Sequence, residues 1–276
     1  MYEASFAACA ATLRRADPDR YFSALFAPAE TRPLLLALYA LNHELASVAE
    51  NAREPMLGEI RLQWWREALA EARETRPRRH DVVEAMATVF VSRDLPSELV
   101  DRMIDARSFD VSGDQFADYA ALEDYLDRTS GTLLRLAACI LGAREGFELA
   151  ATHAGVAYGL VGIARSVAFH AWRGRSFVPR SELDRAGTTR EALLLATSRD
   201  SLSTIVHAMA ARAIERHRRA DIRSREDVPF AAFLPASLVP LYARQIRSRS
   251  YDPLRPELGL HWRLATMLTA AMRGRI

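Results

Sequence analysis

The chain has 276 residues, with 37 basic side chains against 35 acidic ones and a formal charge of +2. So small a charge gives no electrostatic footprint for nucleic acid, and the length allows a core that buries about 70–75% of the unfolded surface without disulfide or metal staples. Cys9 and Cys139 form neither a disulfide framework nor a metal-spaced set, so they are expected as small buried side chains in a reduced compartment.

All 37 basic residues are Arg, because the chain contains no Lys. That bias removes arginine abundance as a sign of phosphate binding and leaves weight only on individual placements. Glycine is scarce, 12 residues in all, where an average chain has about 7%. Alanine, leucine, arginine and glutamate dominate, and apolar residues recur at helical rather than alternating spacing, which predicts an all-α fold.

At the N-terminus, Glu3 stands where a secretion signal carries positive charge, and the apolar run precedes its arginines, so no signal peptide is expected. Asp17-Pro18-Asp19 starts a helix near Arg20, and Pro28 and Pro33 bracket a turn. A stripe of Leu34, Leu35, Leu38, Leu41, Leu45 and Val48 then predicts a helix over 34–49 that is apolar nearly all round. Pro55 to Gly58 separates it from the helix of "RLQWWREALAEAR", whose Trp64 and Trp65 read as a packing anchor. "TRPRRHD" (75–81) is a loop, and "DLPSEL" restarts a helix with Pro96 near its first turn.

Leu99, Val100, Met103 and Ile104 give the next stripe. They leave Asp101 and Asp105, a literal D-x-x-x-D, on the solvated side. Leu122, Leu126, Leu133 and Leu136 follow, with Glu123 and Asp127 expected as a surface pair at the border of that stripe. Helix 150–168 is the second one apolar on almost every side. Breaks fall at "SFDVSGDQ", "LGAREG", "RGRSFVP", "EDVP" and "YDPLRPELG". The run "ARAIERHRRADIRSRED" (211–227) reads as a solvated basic helix that could meet an anionic membrane surface or an acidic partner. The longest uncharged stretches, Leu149 to Ala164 and Val228 to Ala243, fall short of the roughly 20 residues of a spanning helix. No transmembrane segment is expected, and peripheral membrane contact stays open. With no repeat or low-complexity linker, the whole chain, 1–276, reads as a single helical domain of about eight to ten helices.

A helix apolar on every side belongs in the middle of a bundle, where ligand sites are built. The two such helices read "LYALNHELASVAEN" (38–51) and "GVAYGLVGIARSVAFHAWRGRSFVP" (155–179), with "YLDRTSGTLLRLAACILG" (125–142) between them. On these motifs, together with "DRYFSALFAP" (19–28) and "PFAAFLPASLVPLYARQI" (229–246), the chain resembles the squalene/phytoene synthase family. The resemblance implies an isoprenoid-synthase bundle that joins two prenyl diphosphates head to head. In that family the first helix carries D-x-x-x-D and the second R-D-x-x-x-D-x-x-x-G-R. Aspartates at i and i+4 share a helix face, and two such faces hold the Mg²⁺ ions that bridge the diphosphates.

Here the corresponding positions are Ala46 and Glu50, then Ser166 and His170, while Arg165, Gly174, Arg175 and Pro179 keep the frame. Three of the four metal carboxylates are missing, and no catalytic residue and no metal ligand are assigned. The pocket is expected to be neutral to basic, with His43, Arg165, Arg173, Arg175, Tyr39 and Tyr125 as candidate ligand- or anion-binding residues, and His170 is expected to titrate near neutral pH. No nucleophile elbow, phosphate-cradling glycine loop or Cys/His cluster is present.

Three functions follow from the resemblance. In the form of its motif "GLVGIARSVAFHAWRGRSFVP" the chain resembles an aspartate-lacking branch, present in mitochondria and related bacteria, that assists assembly of respiratory complex I at the inner membrane. This implies a non-catalytic protein with a respiratory-complex partner, cytoplasmic or peripheral to the inner membrane, and without cofactor. The alternatives are an active prenyl transferase with an atypical site, which alone would need Mg²⁺, and an isoprenoid- or lipid-binding module.

Overall fold

Long runs of strong helix formers, cut by proline and glycine, set the architecture. The computed structural model describes residues 3–143, 146–195, 199–223, 229–248, 252 and 258–276. In chain order these form α1 (Glu3–Ala16), α2 (Pro18–Ala24), α3 (Arg32–Asn51), α4 (Pro55–Arg73), α5 (Asp81–Ser92), α6 (Ser97–Ala106), α7 (Ser108–Ser112) and α8 (Tyr119–Leu126). After a π-helical turn, Asp127–Gly131, come α9 (Thr132–Ile140), α10 (Glu148–Trp172), α11 (Arg180–Arg185), α12 (Arg190–Leu194) and α13 (Arg199–Ala220). The chain closes with α14 (Phe230–Phe233), a 3₁₀ turn (Leu234–Leu238), α15 (Val239–Ile246) and α16 (Leu260–Arg273). Among the described residues the only extended pairing is a lone bridge between Arg223 and Arg275, so the all-α reading stands.

The helices outnumber the eight to ten expected because α7 falls in "SFDVSGDQ", which reads as a break, and because segments as short as α12 are too brief to show a helical period. α7 ends on Gly113 in the left-handed region, φ 71°, a conformation that costs glycine little. Asp17 caps α2 by accepting from the Arg20 amide at 3.1 Å. The predicted helix 34–49 extends to 32–51, and 150–168 to 148–172.

Two apolar clusters carry the packing. One gathers α1, α3, α4, α5, α6 and α9, with Leu35, Leu38, Leu41 and Leu45 fully buried. The other gathers α8, α10, α13 and α15 around Leu160, Val161, Ile205 and Tyr242. α10 is, by length and composition, apolar enough to cross a membrane, where the sequence reading expected no such segment. More than half of that stretch is buried against other helices, chiefly along α13. The central helix of a bundle shows this property too.

Glu123 and Asp127 are not a surface pair. Glu123 is buried and clasped by Arg212 and Arg216 of α13. Asp127 is held by Arg102 at 2.7 Å and Arg135 at 2.9 Å. The basic run beginning at 211 is likewise not solvated all round: α13 buries Ala213 and turns Arg212 and Arg216 inward onto Glu123. Residues 224–227 of that run, and most of "YDPLRPELG", lie outside the described residues. Asp101 and Asp105 are exposed as expected, with Asp105 bonded to Arg66 at 2.7 Å. Trp64 and Trp65 pack edge to face at 5.0 Å. Cys9 is buried, Cys139 is half-buried, and both are free.

Candidate functional site

Stepping by four along a helix keeps one face. On α3 the row 42, 46, 50 and on α10 the row 158, 162, 166, 170 face each other across a cavity of about 340 Å³. The frame positions Ala46, Glu50, Ser166 and His170 all line it, as do Arg175 and Tyr125. The alignment of the two motif frames thus brought four separated positions to one space.

The other candidates lie elsewhere. His43 is one residue past the cavity row, about 100° round α3, and is not among the lining residues. Arg165 is similarly one residue off the α10 row, and its guanidinium lies 3.7 Å over the Tyr242 ring. Tyr39 is on the cavity side of α3 but deeper, 1% exposed, and burial raises its hydroxyl to a pKa of about 12. Arg173 sits at the rim, ion-paired with Glu50 and stacked on Phe169. Arg175 donates to the Ala49 carbonyl, so the exit of α10 is tied to the last turn of α3.

Several lining residues were not foreseen: Arg20, Asn42, Arg107, Asp110, Thr129, Ser130, Tyr158 and Gly162. Asn42, Tyr158 and Gly162 could have been found by stepping back in fours from the frame positions. Thr129 and Ser130 arrive through the π turn, a type of bulge often found at functional sites.

Arg107 anchors a buried network. It donates to Asp110 at 3.1 Å, to the Tyr125 hydroxyl at 3.0 Å and to Asn42 Oδ1 at 3.1 Å. The Tyr125 hydroxyl in turn donates to Asp110 Oδ1 at 2.6 Å, so Tyr125 is satisfied by neighbours. A second network lies behind Tyr158. Buried Asp19 accepts from Tyr158 at 3.0 Å, from Tyr242, and from Arg263 at 2.8 Å.

The lining carries Arg20, Arg107 and Arg175 against Glu50 and Asp110; Arg20 is paired with Asp17 at 2.6 Å and Arg107 with Asp110 at 3.1 Å. Glu50 is engaged by Arg173. His170 does not titrate near neutral pH. Burial, helped by the charges of Arg175 and Arg173 and opposed by Glu50, pushes it down to about 4. The ring is therefore uncharged at physiological pH.

The donor set does not fit magnesium, a hard ion that requires oxygen ligands. Ala46 offers nothing, and Ser166 Oγ donates to the Gly162 carbonyl at 2.8 Å. His170 presents a neutral nitrogen, better matched to zinc or iron, and Glu50 already neutralises an arginine. The Asp110 carboxyl is committed to Tyr125 and Arg107, and burial raises its pKa. Among the described residues no three His, Cys, Asp or Glu side chains are grouped so as to hold a metal.

Comparison with known proteins fits this geometry. The family model described as squalene/phytoene synthase matches residues 13–267. A mouse protein named "NADH dehydrogenase (ubiquinone) complex I, assembly factor 6" is 28% identical over 253 residues, 91% of this chain and 76% of that protein. Presqualene diphosphate synthase of Rhodopseudomonas palustris (strain ATCC BAA-98 / CGA009) is 28% identical over 199 residues, 70% of each chain. Among solved structures, a dehydrosqualene synthase in complex with ligand superposes with a TM-score of 0.80 at 16% identity, covering 98% of this chain and 96% of that one. That likeness is one of fold.

Proposed function

The chain belongs to the squalene/phytoene synthase family, and from that premise we propose that it lacks prenyl-transfer activity and acts in assembly of respiratory complex I, peripherally at the inner membrane. The observation that carries the first part is the state of the four frame positions. Prenyl transfer needs divalent cations to neutralise the departing diphosphate. Here one carboxylate remains among them, and Arg173, just past the end of the facing helix, takes its charge. The relatives named as complex I assembly factors, matched over most of this chain, support the second part.

Purified protein incubated with farnesyl or geranylgeranyl diphosphate and Mg²⁺ is expected to release no pyrophosphate. Sustained turnover would establish the alternative, an active transferase with an atypical site. Deletion of the gene is expected to lower assembled complex I, and an unchanged level would refute the assembly role.

A ligand-binding reading is favoured by one feature. The cavity combines the guanidiniums of Arg20, Arg107 and Arg175 with the apolar walls of Leu126, Ile163 and Phe177, a combination suited to an anionic head carrying a hydrocarbon chain. Native mass spectrometry is expected to find an isoprenoid or lipid retained on the purified protein, and a spectrum of bare protein argues against it.

A further inference from the structure

α16 is held by few inward contacts: only Met267 and Ala270 are buried, and Arg263 bonds Asp19 at 2.8 Å. Its opposite face is open. Trp262 is 58% exposed, Leu268 52% and Met272 80%, and Ala265 and Thr269 lie exposed between them. Positions 262, 265, 268, 269 and 272 fall on one stripe of a helix. An uncharged face three turns long therefore points outward.

Its edges are cationic. From residue 258 to 276 there is no Asp or Glu, and Arg273 and Arg275 are exposed. Beside the helix, Arg244, Arg273 and Arg275 line a shallow cleft of about 410 Å³ together with Ser237 and Thr266. Arg275 is loosely engaged, 3.9 Å from Asp221.

We propose that α16 is a membrane-docking helix, its face of Trp262, Leu268 and Met272 seated among the headgroups of an anionic leaflet and flanked by Arg244, Arg273 and Arg275. The proposal rests on the peripheral-membrane part of the reading above and names the surface that performs it. A helix with an apolar face, basic edges and a tryptophan has the composition of one that lies in the interfacial plane. Arginines beside it add attraction for anionic lipid.

Other exposed apolar residues, Met56, Leu57 and Ile60 at the start of α4, are as open. Their stretch of chain mixes exposed Glu54 and Glu59 with exposed Arg53 and Arg61, so it offers an anionic surface no net attraction, whereas the α16 face has basic flanks and no acid of its own. Charge complementarity therefore selects α16.

The test is flotation of the full chain with phosphatidylcholine vesicles, with and without phosphatidylglycerol. Wild type is expected to co-float with the phosphatidylglycerol vesicles and to dissociate at high salt. The double variant Leu268→Glu/Met272→Glu should bind at least about tenfold more weakly with an unchanged circular dichroism spectrum, because both side chains are exposed. Met56→Glu should bind like wild type. Quenching of tryptophan emission by brominated lipid should be lost in Trp262→Phe and kept in Trp172→Phe.

If wild type ignores both kinds of vesicle, the peripheral-membrane reading itself fails. If wild type binds and the double variant binds equally, or Met56→Glu alone abolishes binding, the assignment to α16 is overturned. If light scattering without lipid shows a dimer that the double variant dissociates, a second copy covers this face and the lipid proposal falls.

Discussion

Replacing Gly155 by alanine should destabilise the protein, although glycine inside a helix is normally unfavourable. A Cβ at this position of α10 would lie 2.5 Å from both Cα and N of Gly131 in the π turn, and 2.8 Å from the Ser130 carbonyl carbon. These are backbone atoms, so relief requires the helix or the turn to move by about an ångström. Overpacking of this kind costs about 1–3 kcal/mol, and backbone against backbone belongs at the upper end. Helix propensity returns about 1 kcal/mol, leaving a net loss near 2 kcal/mol. For a chain of this size that corresponds to a fall in Tm of about 3–4 °C. Gly162 on the same helix is the internal control, because its Cβ would meet nothing within 4 Å. Gly162→Ala should be neutral or stabilising by up to about 1 kcal/mol. Thermal and denaturant unfolding read both. A Gly155→Ala protein as stable as wild type would refute the close crossing of α10 on the π turn that carries Thr129 and Ser130 into the cavity.

Asp19→Ala strands two tyrosine hydroxyls and the Arg263 guanidinium behind the cavity, and should cost about 3–5 kcal/mol by chemical denaturation; a loss below 1 kcal/mol would mean the network is replaceable by water. His170, followed by NMR, should titrate near 4. Its folded pKa lies below the unfolded value, so the unfolded state binds the extra proton between about pH 6.5 and 4. Stability should therefore fall as pH drops through that window, and the fall should be shallower in His170→Asn. Glu50→Gln should lower stability by at most about 1 kcal/mol, since the pair with Arg173 is a third exposed on each side and surface pairs contribute little.

Much of the architecture was legible because it rests on periodicity and punctuation. The leucine row from 34 to 48 and the uncharged stretch from 149 to 164 placed the two helices that bound the cavity. The motif frames at 46/50 and 166/170 placed their facing positions, since an i, i+4 spacing fixes a face. Legibility ended where side-chain direction depends on neighbours. His43 and Arg165 each stand next to a cavity residue in sequence and point elsewhere, because one step along a helix is a rotation of about 100°. The π turn at 127–131 was invisible to a 3.6-residue pattern. Arg107 carried no sequence signal, because Asn42 and Tyr125 come from other segments and Asp110, three residues on, lies in the stretch "SFDVSGDQ" that reads as a break. His170 was misjudged because its pKa is set chiefly by burial, which sequence spacing does not report.

The proposed lack of prenyl transfer requires that the space between α3 and α10 be unable to clamp divalent cations. Titration of the purified protein with Mn²⁺, a paramagnetic substitute for Mg²⁺, followed by electron paramagnetic resonance with and without farnesyl diphosphate, tests it most directly. Only the free-ion signal is expected in both cases. A bound Mn²⁺ spectrum that disappears in Glu50→Gln would contradict it.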